Sequence, residues 1–377
     1  TPIDDVPKVY LTKKGEGFLP HNYDGRYRGR VLVREALASS YNLPAVEILE
    51  RVGIGEFLNL AQQMCITTIQ QTENYDLALT LGGGEVNLLE LTNLYATFAR
   101  GGKWIPTQLI SKVVADNGKV LYEATFSEPK TVLDEKVAWL ITDILSDKKA
   151  RIPTFGEKNA LVLTKPAAVK TGTTTDWHDN WTIGYTSDYT VGVWVGNSDN
   201  HPMKQISGVT GAAPIWNQIF EELLKFGAAG EFVRPDGVSE VEICAWDGLL
   251  PSESCTERYK EAFIEGAEPN EISTLRQRPI YGEGTAQIVN PRQGALYEIG
   301  ATKNEAIVFE ISNLQNLKSL NWILDGKKIE CPRETRLTCN WSPTLGKHEI
   351  SAKINLDGSK VLLNSVDFEV LEYKKGL

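Results

Sequence analysis

Residues 167–196 read Ala-Ala-Val-Lys-Thr-Gly-Thr-Thr-Thr-Asp-Trp-His-Asp-Asn-Trp-Thr-Ile-Gly-Tyr-Thr-Ser-Asp-Tyr-Thr-Val-Gly-Val-Trp-Val-Gly, and this stretch decides the fold. Three runs, 168–173, 181–186 and 190–196, are rich in β-branched and aromatic residues. The polar turns between them are too short to hold crossover helices, so the runs form an antiparallel sheet. Downstream, Pro214 sits in the first turn of an amphipathic helix with Trp216, Ile219, Phe220, Leu223 and Leu224 on one face. That face belongs against the sheet.

Upstream of the sheet the pattern is helical. Segments 32–39 and 44–51 read as two short helices around a polar break, Ser40-Tyr41-Asn42. Asn87 with Glu90 is a capping-box variant, opening a helix whose apolar face is Leu91, Leu94, Tyr95 and Phe98, closed by Gly101-Gly102. A hairpin turns at Asp116-Asn117-Gly118, and Asp134 caps a helix expected to bury Val137, Leu140, Ile141 and Ile144. Over 228–282 Pro, Gly, Ser and charges dominate, which reads as a connector holding Cys244 and Cys255. After Pro279 the period changes to two. Runs 306–311, 320–324, 337–341, 348–354 and 366–370, with turns at Asp325-Gly326 and Asp357-Gly358, predict a small immunoglobulin-like β-sandwich. The fold class is therefore α+β: an antiparallel sheet with flanking helices over 1–227, a connector over 228–282, and an all-β domain over 283–377.

Composition narrows the function. With 42% hydrophobic and 23% charged residues, the chain has the make-up of a globular protein rather than a disordered or collagen-like one. A net charge of −10 without a basic run argues against nucleic acid as a partner. No apolar run reaches the roughly 20 residues that a membrane-spanning helix needs. The 4 histidines are scattered and no Cys-x-x-Cys occurs, so no metal site is expected. On spacing alone the 5 cysteines allow two readings: local disulfides Cys244/Cys255 and Cys331/Cys339 with Cys65 left over, or reduced, buried thiols.

The candidate chemistry lies in two short motifs. Lys170-Thr171-Gly172-Thr173 ends a strand, where a glycine admits a substrate backbone and a cation with two hydroxyls suits a carboxylate. Ser40-Tyr41-Asn42 falls in the break between helices, and alone it reads as capping residues. Gly82-Gly83-Gly84 precedes a helix, but no Gly-Lys-Ser/Thr follows, so it is a structural turn and no P-loop. His178 reads as a solvated turn histidine, and the tryptophans of the last domain read as core rather than as sugar-stacking platforms.

Taken together and in order, these motifs resemble those of the penicilloyl-serine transferases, the group of penicillin-binding proteins and serine β-lactamases. Residues 34–46 resemble the helix–loop–helix around the Ser-x-Asn motif of class A penicillin-binding proteins. Leu81-Gly82-Gly83-Gly84-Glu85-Val86 with 91–99 resembles their internal signature, and 170–196 resembles their sheet. Cys244 to Cys255, Trp322-Ile323-Leu324-Asp325-Gly326, Trp341 and Gly346-Lys347-His348 resemble the tail of the 1C type. The resemblance implies an incomplete penicillin-binding transpeptidase domain. The family's nucleophile lies in a Ser-x-x-Lys upstream of Ser-x-Asn, and no serine precedes Ser39, so the chain is expected to be a fragment that is inactive alone.

Several further expectations rest on that resemblance. Ser40, Asn42 and Lys170 are the catalytic candidates, with Thr171, Gly172 and Thr173 binding substrate. Partners would be peptidoglycan stem peptides ending in D-Ala-D-Ala, β-lactams as inhibitors, and the upstream part of the same chain. No metal or organic cofactor is implied. The parent would be a periplasmic peptidoglycan synthase, held in the inner membrane by a helix outside this chain and carrying a glycosyltransferase domain. In that compartment Cys244–Cys255 and Cys331–Cys339 are expected bonded and Cys65 free. A noncatalytic binding module for cell wall or partner protein, and a serine β-lactamase, are the alternatives.

Overall fold

The structure, a computed structural model, describes all residues except 7, 9, 12–16, 19, 25–26, 71, 126, 175–176, 204–206, 228–229, 277–287, 292–294, 300–305, 312–316, 332–337, 357–358, 364 and 373–377. It divides into two compact units, Thr1–Tyr23 with Arg30–Arg278, and Asp24–Gly29 with Pro279–Leu377.

The centre of the first unit is the expected antiparallel sheet. Strand Asp179–Tyr185 lies in the middle, with Ala168–Thr173 and Thr190–Gly196 on its edges. Helices cover both faces. On one, α7 (Ala212–Leu223) packs Ala212, Ala213, Trp216 and Phe220 against Val169 and Val193. On the other lie α4 (Leu88–Ala99) and α5 (Glu135–Ser146), with Leu145, Tyr95 and Ile141 around Tyr185 and Ala168. Two glycines let the layers close. A Cβ on Gly184 would stand 2.6 Å from Trp216 of α7, and one on Gly192 would stand 2.1 Å from the Thr92 hydroxyl of α4. Asn87 and Asp134 cap α4 and α5 as the sequence requires.

The buried stripe of α5 differs from expectation. Its deepest residues are Ala138, Thr142 and Leu145 rather than Val137, Leu140, Ile141 and Ile144, which stay half-buried. Thr142 can sit there because its hydroxyl meets the Ala138 carbonyl and the Tyr185 hydroxyl, each at 2.8 Å. The remaining helices are α1 (Val33–Ala38), α2 (Asn42–Val52), α3 (Ile54–Gln63) and α6 (Lys148–Phe155).

The stretch read as a connector holds an antiparallel hairpin, Val238–Cys244 with Arg258–Ile264, inside the first unit. Its Glu261 is buried and meets Arg34 of α1, which is only 5% exposed. Arg34 Nε donates to both Glu261 oxygens, at 2.9 and 3.1 Å, and the guanidinium also pairs with Asp143 and Asp147. Tyr259 lays its ring 5.5 Å from the guanidinium and donates its hydroxyl to Asp147. Burial works against the Arg34 charge, but Glu261 and Asp143 outweigh it and raise its pKa.

The second unit is a sandwich. One sheet pairs Ile288–Asn290, Ile307–Ile311 and Thr338–Trp341, and the other runs through Ala295–Ile299, Val366–Glu372, Gly346–Leu356 and Leu317–Leu324. Ala295–Ile299 and Val366–Glu372 are parallel neighbours. Between the sheets lie Phe309, Ile311, Trp322, Ile350, Ile354 and Phe368, so Trp322 is core, and Trp341 stacks on Phe309. Asp325 and Gly326, both at positive φ, make the expected tight turn, while Asp357-Gly358 lies outside the described residues. Cys244–Cys255 and Cys331–Cys339 are bonded and Cys65 is free.

Removing the cation from a buried cluster leaves its carboxylates uncompensated, which costs about 3–5 kcal/mol. Arg34→Met is expected to lower unfolding stability by that amount in urea titrations. A loss under about 1 kcal/mol would show that the cluster does not hold the unit together.

Candidate active site

The site begins at the end of α1. Ser40 N–H donates to Leu37 O at 3.2 Å and Tyr41 N–H donates to Ala36 O at 2.9 Å, while Ser40 itself stands at φ 61°. This is a Schellman ending with serine at the left-handed position that glycine usually fills. Left-handed backbone costs a non-glycine residue about 1–2 kcal/mol. The turn is held from both sides: Ser39 Oγ donates to Ala150 O at 2.8 Å, and Tyr41 OH donates to Glu35 at 2.9 Å.

Opposite it stands Lys170. Its register partner in the middle strand is Ile183, on the face that α4 covers. Lys170 Nζ donates to Ser40 Oγ at 2.6 Å and to Thr171 O at 2.8 Å. Among the described residues no carboxylate is within ion-pair distance. Desolvation therefore acts on the ammonium uncompensated and pushes its pKa down to about 8.

The strand carrying Lys170 is a sheet edge. Thr174 N–H donates to Asp179 O at 3.1 Å, so by two-residue alternation Lys170 and Gly172 bond toward the middle strand. The N–H and C=O groups of Thr171 and Thr173 then face outward; Thr171 O is taken by Lys170 Nζ, and the Thr173 groups face the side where a strand could add. The side chains of Thr171 and Thr173 lie on the α7 face. Thr173 Oγ1 accepts the Gly208 N–H at 2.9 Å, and this leaves the Thr173 hydroxyl proton free to donate. Gly208 packs so close that its Cβ would stand 2.7 Å from Gly172 O.

Asn42 opens α2 two residues after Ser40. Its Nδ2 donates to His21 O at 2.6 Å, and its backbone N–H donates to Asn22 Oδ1 at 2.7 Å. Asn22 in turn donates to both oxygens of buried Asp5, at 2.7 and 2.9 Å. The structure thus joins Ser40 to Lys170 directly and anchors Asn42, two residues further along the chain, to His21 O. His21, Asn22, Asp5 and Gly208 were not singled out in the sequence, since none belongs to a spaced motif. His178 meets Asn200 O at 2.7 Å and takes no part. Among the described residues no three metal-ligating side chains converge.

Two outcomes are expected of this geometry. Both Ser40→Gly and Ser40→Ala lose the hydroxyl, but glycine relieves the left-handed backbone, so Ser40→Gly should be the more stable by about 1 kcal/mol. Equal stabilities would remove the strain. The lowered Lys170 pKa means that the unfolded chain binds more protons between about 8 and 10.5. Stability should therefore rise with pH across that window relative to Lys170→Met. Parallel urea titrations of the two proteins at pH 7.5 and 10 read the difference, and a constant gap would refute it.

Two family models match. Residues 3–221 match the penicillin-binding protein transpeptidase domain, and residues 234–278 match the C-terminal domain of penicillin-binding protein 1A. Penicillin-binding protein 2D of Bacillus subtilis is 32% identical over 268 residues, 70% of this chain and 38% of that one. Penicillin-binding protein 1A of Aquifex aeolicus is 34% identical over 270 residues, 71% of this chain and 36% of that one. Penicillin-binding protein 1C of Escherichia coli is 30% identical over 286 residues, 74% and 34%. The chain therefore spans little more than a third of the length of these relatives. Among solved structures, penicillin-binding protein 1A of Haemophilus influenzae superposes with a TM-score of 0.63 at 22% identity, covering 72% of this chain and 45% of that one. The PonA1 protein of Mycobacterium tuberculosis, in complex with penicillin V, gives 0.52 at 23%, covering 62% and 65%. With the match to the transpeptidase model running across more than half of its length, the chain belongs to the penicillin-binding protein transpeptidase family.

Proposed function

We propose that this chain forms the substrate groove of a serine D-Ala-D-Ala transpeptidase that cross-links peptidoglycan stem peptides and is inhibited by β-lactams. The observation that carries the reading is the 2.6 Å contact between Lys170 Nζ and Ser40 Oγ beside an open sheet edge. The nucleophilic serine belongs to a Ser-x-x-Lys segment outside these 377 residues. Its oxygen bonds to the penultimate D-Ala carbonyl carbon, the C–N bond to the last D-Ala breaks, and the serine proton ends on the leaving amine.

Ser40 relays that proton, and Lys170, its pKa lowered to about 8 by desolvation, takes and returns it. Asn42 Oδ1 accepts the substrate amide N–H while its Nδ2 stays on His21 O. The outward Thr173 N–H serves as an oxyanion donor, and the Thr171 and Thr173 hydroxyls donate to the terminal carboxylate. Gly172 lets the peptide lie against the strand. The division into a transpeptidase part over 1–227, a cysteine-bearing segment over 228–282 and a β-domain over 283–377 is supported by the matches ending at 221 and 278 and by the unit boundary at Arg278. We read the whole protein as a bifunctional peptidoglycan synthase anchored in the inner membrane and working in the periplasm. No helix among the described residues is long and apolar enough to cross a membrane.

Fluorescent penicillin tests the proposal. A longer chain including the upstream Ser-x-x-Lys should be labelled stoichiometrically, and Lys170→Ala should slow that acylation by at least about a hundredfold. Stoichiometric covalent labelling of the 377 residues alone would overturn the assignment of the nucleophile.

A further inference from the structure

A cavity of about 660 Å³ lies under the loop that opens α4, lined by Thr68, Tyr75, Glu85, Asn87 and the backbone of Gly83 and Gly84. The residue before its lining glycines touches the Lys170 strand: a Cβ on Gly82 would stand 3.1 Å from Thr174 Cγ2, at the carboxyl end of that strand. The glycines shape it, because a Cβ on Gly84 would stand 2.6 Å from Leu79 and one on Gly83 3.0 Å from the Ala78 backbone.

The polar groups around this cavity select a charge. Glu85 is exposed and, like the hydroxyls of Thr68 and Tyr75, has no hydrogen-bond partner among the described residues. Two donors of the α4 terminus are taken: Asn87 Oδ1 accepts Leu89 N–H at 2.9 Å and Glu90 N–H at 3.4 Å. Glu90 is likewise engaged, by Thr67 N–H at 2.9 Å and the Thr67 hydroxyl at 2.7 Å. An anion would meet the exposed Glu85 carboxylate. A calcium ion takes about 6–8 oxygen ligands, more than the one carboxylate and two hydroxyls supply. A primary ammonium carries three N–H donors and no acceptor, and one carboxylate with two hydroxyl oxygens supplies three acceptors.

We infer that this cavity binds a side-chain ammonium of the second, acceptor peptide, with Glu85 as its counter-charge. The inference rests on the transpeptidase reading, since an acyl-transfer groove needs a second peptide that brings an amine. Glu85, Thr68 and Tyr75 hold the charged amine at the rim of the groove, next to the strand end where the acyl group is held. Only binding is assigned to them.

The test uses the 377-residue chain and backbone amide NMR shifts. The probe is an Nα-acetylated, carboxyl-amidated peptide carrying one lysine, and the control is the same peptide acetylated on its side-chain amine. The free-amine peptide should shift residues 83–87 and the control should not. Its affinity should fall about tenfold in Glu85→Gln, the scale of a hydrogen bond to a charged group, and should weaken with added salt. Glu85 makes no bond within the described chain, so the variant's remaining spectrum should stay unchanged. No shift at 83–87, equal shifts with the control, or undiminished affinity in Glu85→Gln would each overturn the ammonium site. A peptide ending in D-Ala-D-Ala, titrated separately, reads the groove through Thr171 to Thr173. Shifts there with none at 83–87 leave the transpeptidase reading standing without the cavity, whereas their absence counts against that reading itself.

Discussion

A guanidinium cannot be buried alone, and Arg34 is buried. Its charge is met by Asp143 of α5, by Asp147 between α5 and α6, and by Glu261 of the Cys244 hairpin. Segments far apart in the chain are thus held at one point by a requirement that each of them helps to meet. Removing any one carboxylate leaves less compensation for a cation that has no route to solvent. The same helix α1 that carries Arg34 ends, within two turns, in the left-handed Ser40. The position of the serine hydroxyl is therefore set by a charge cluster at the other end of a very short helix.

Lys170 is the opposite case. Arg34 keeps its proton more tightly than usual because anions surround it, and Lys170 loses its proton more easily because none do. Both side chains are cationic, Arg34 buried and Lys170 half-buried. The difference is whether the fold supplies a counter-charge, and this separates a structural cation from one that can exchange a proton near neutral pH. The sheet edge adds directionality, since alternation sends the Lys170 side chain to one face and the Thr171 and Thr173 amides outward.

Much of this was legible in the sequence. The three strand runs and the caps at Asn87 and Asp134 followed from periodicity and capping chemistry, while Ser40 and Lys170 stood out as candidates only through the family resemblance. The misses have a common physical cause. Thr142 and Thr97 occupy buried positions of α5 and α4 because each hydroxyl is satisfied by the carbonyl four residues back, at 2.8 and 2.9 Å, so a polar letter hides a core position. The hairpin over 238–264 was hidden in the same way. Its exposed Glu240, Glu242 and Arg258 look like linker charges, while Glu261 faces inward only because Arg34, more than two hundred residues away, is there to meet it. Long-range compensation of this kind leaves no local pattern.

In the β-domain, one of the first strands, Ala295–Ile299, runs parallel to the last, Val366–Glu372. Parallel neighbours close to the two ends of a unit respond to tension differently from a hairpin. A pull on the ends of the pair acts along the strands, so the slanted hydrogen bonds of the ladder are loaded in shear and must yield together, whereas a hairpin opens one bond at a time. In the β-domain, tension between the far ends of this strand pair therefore meets the whole parallel ladder at once.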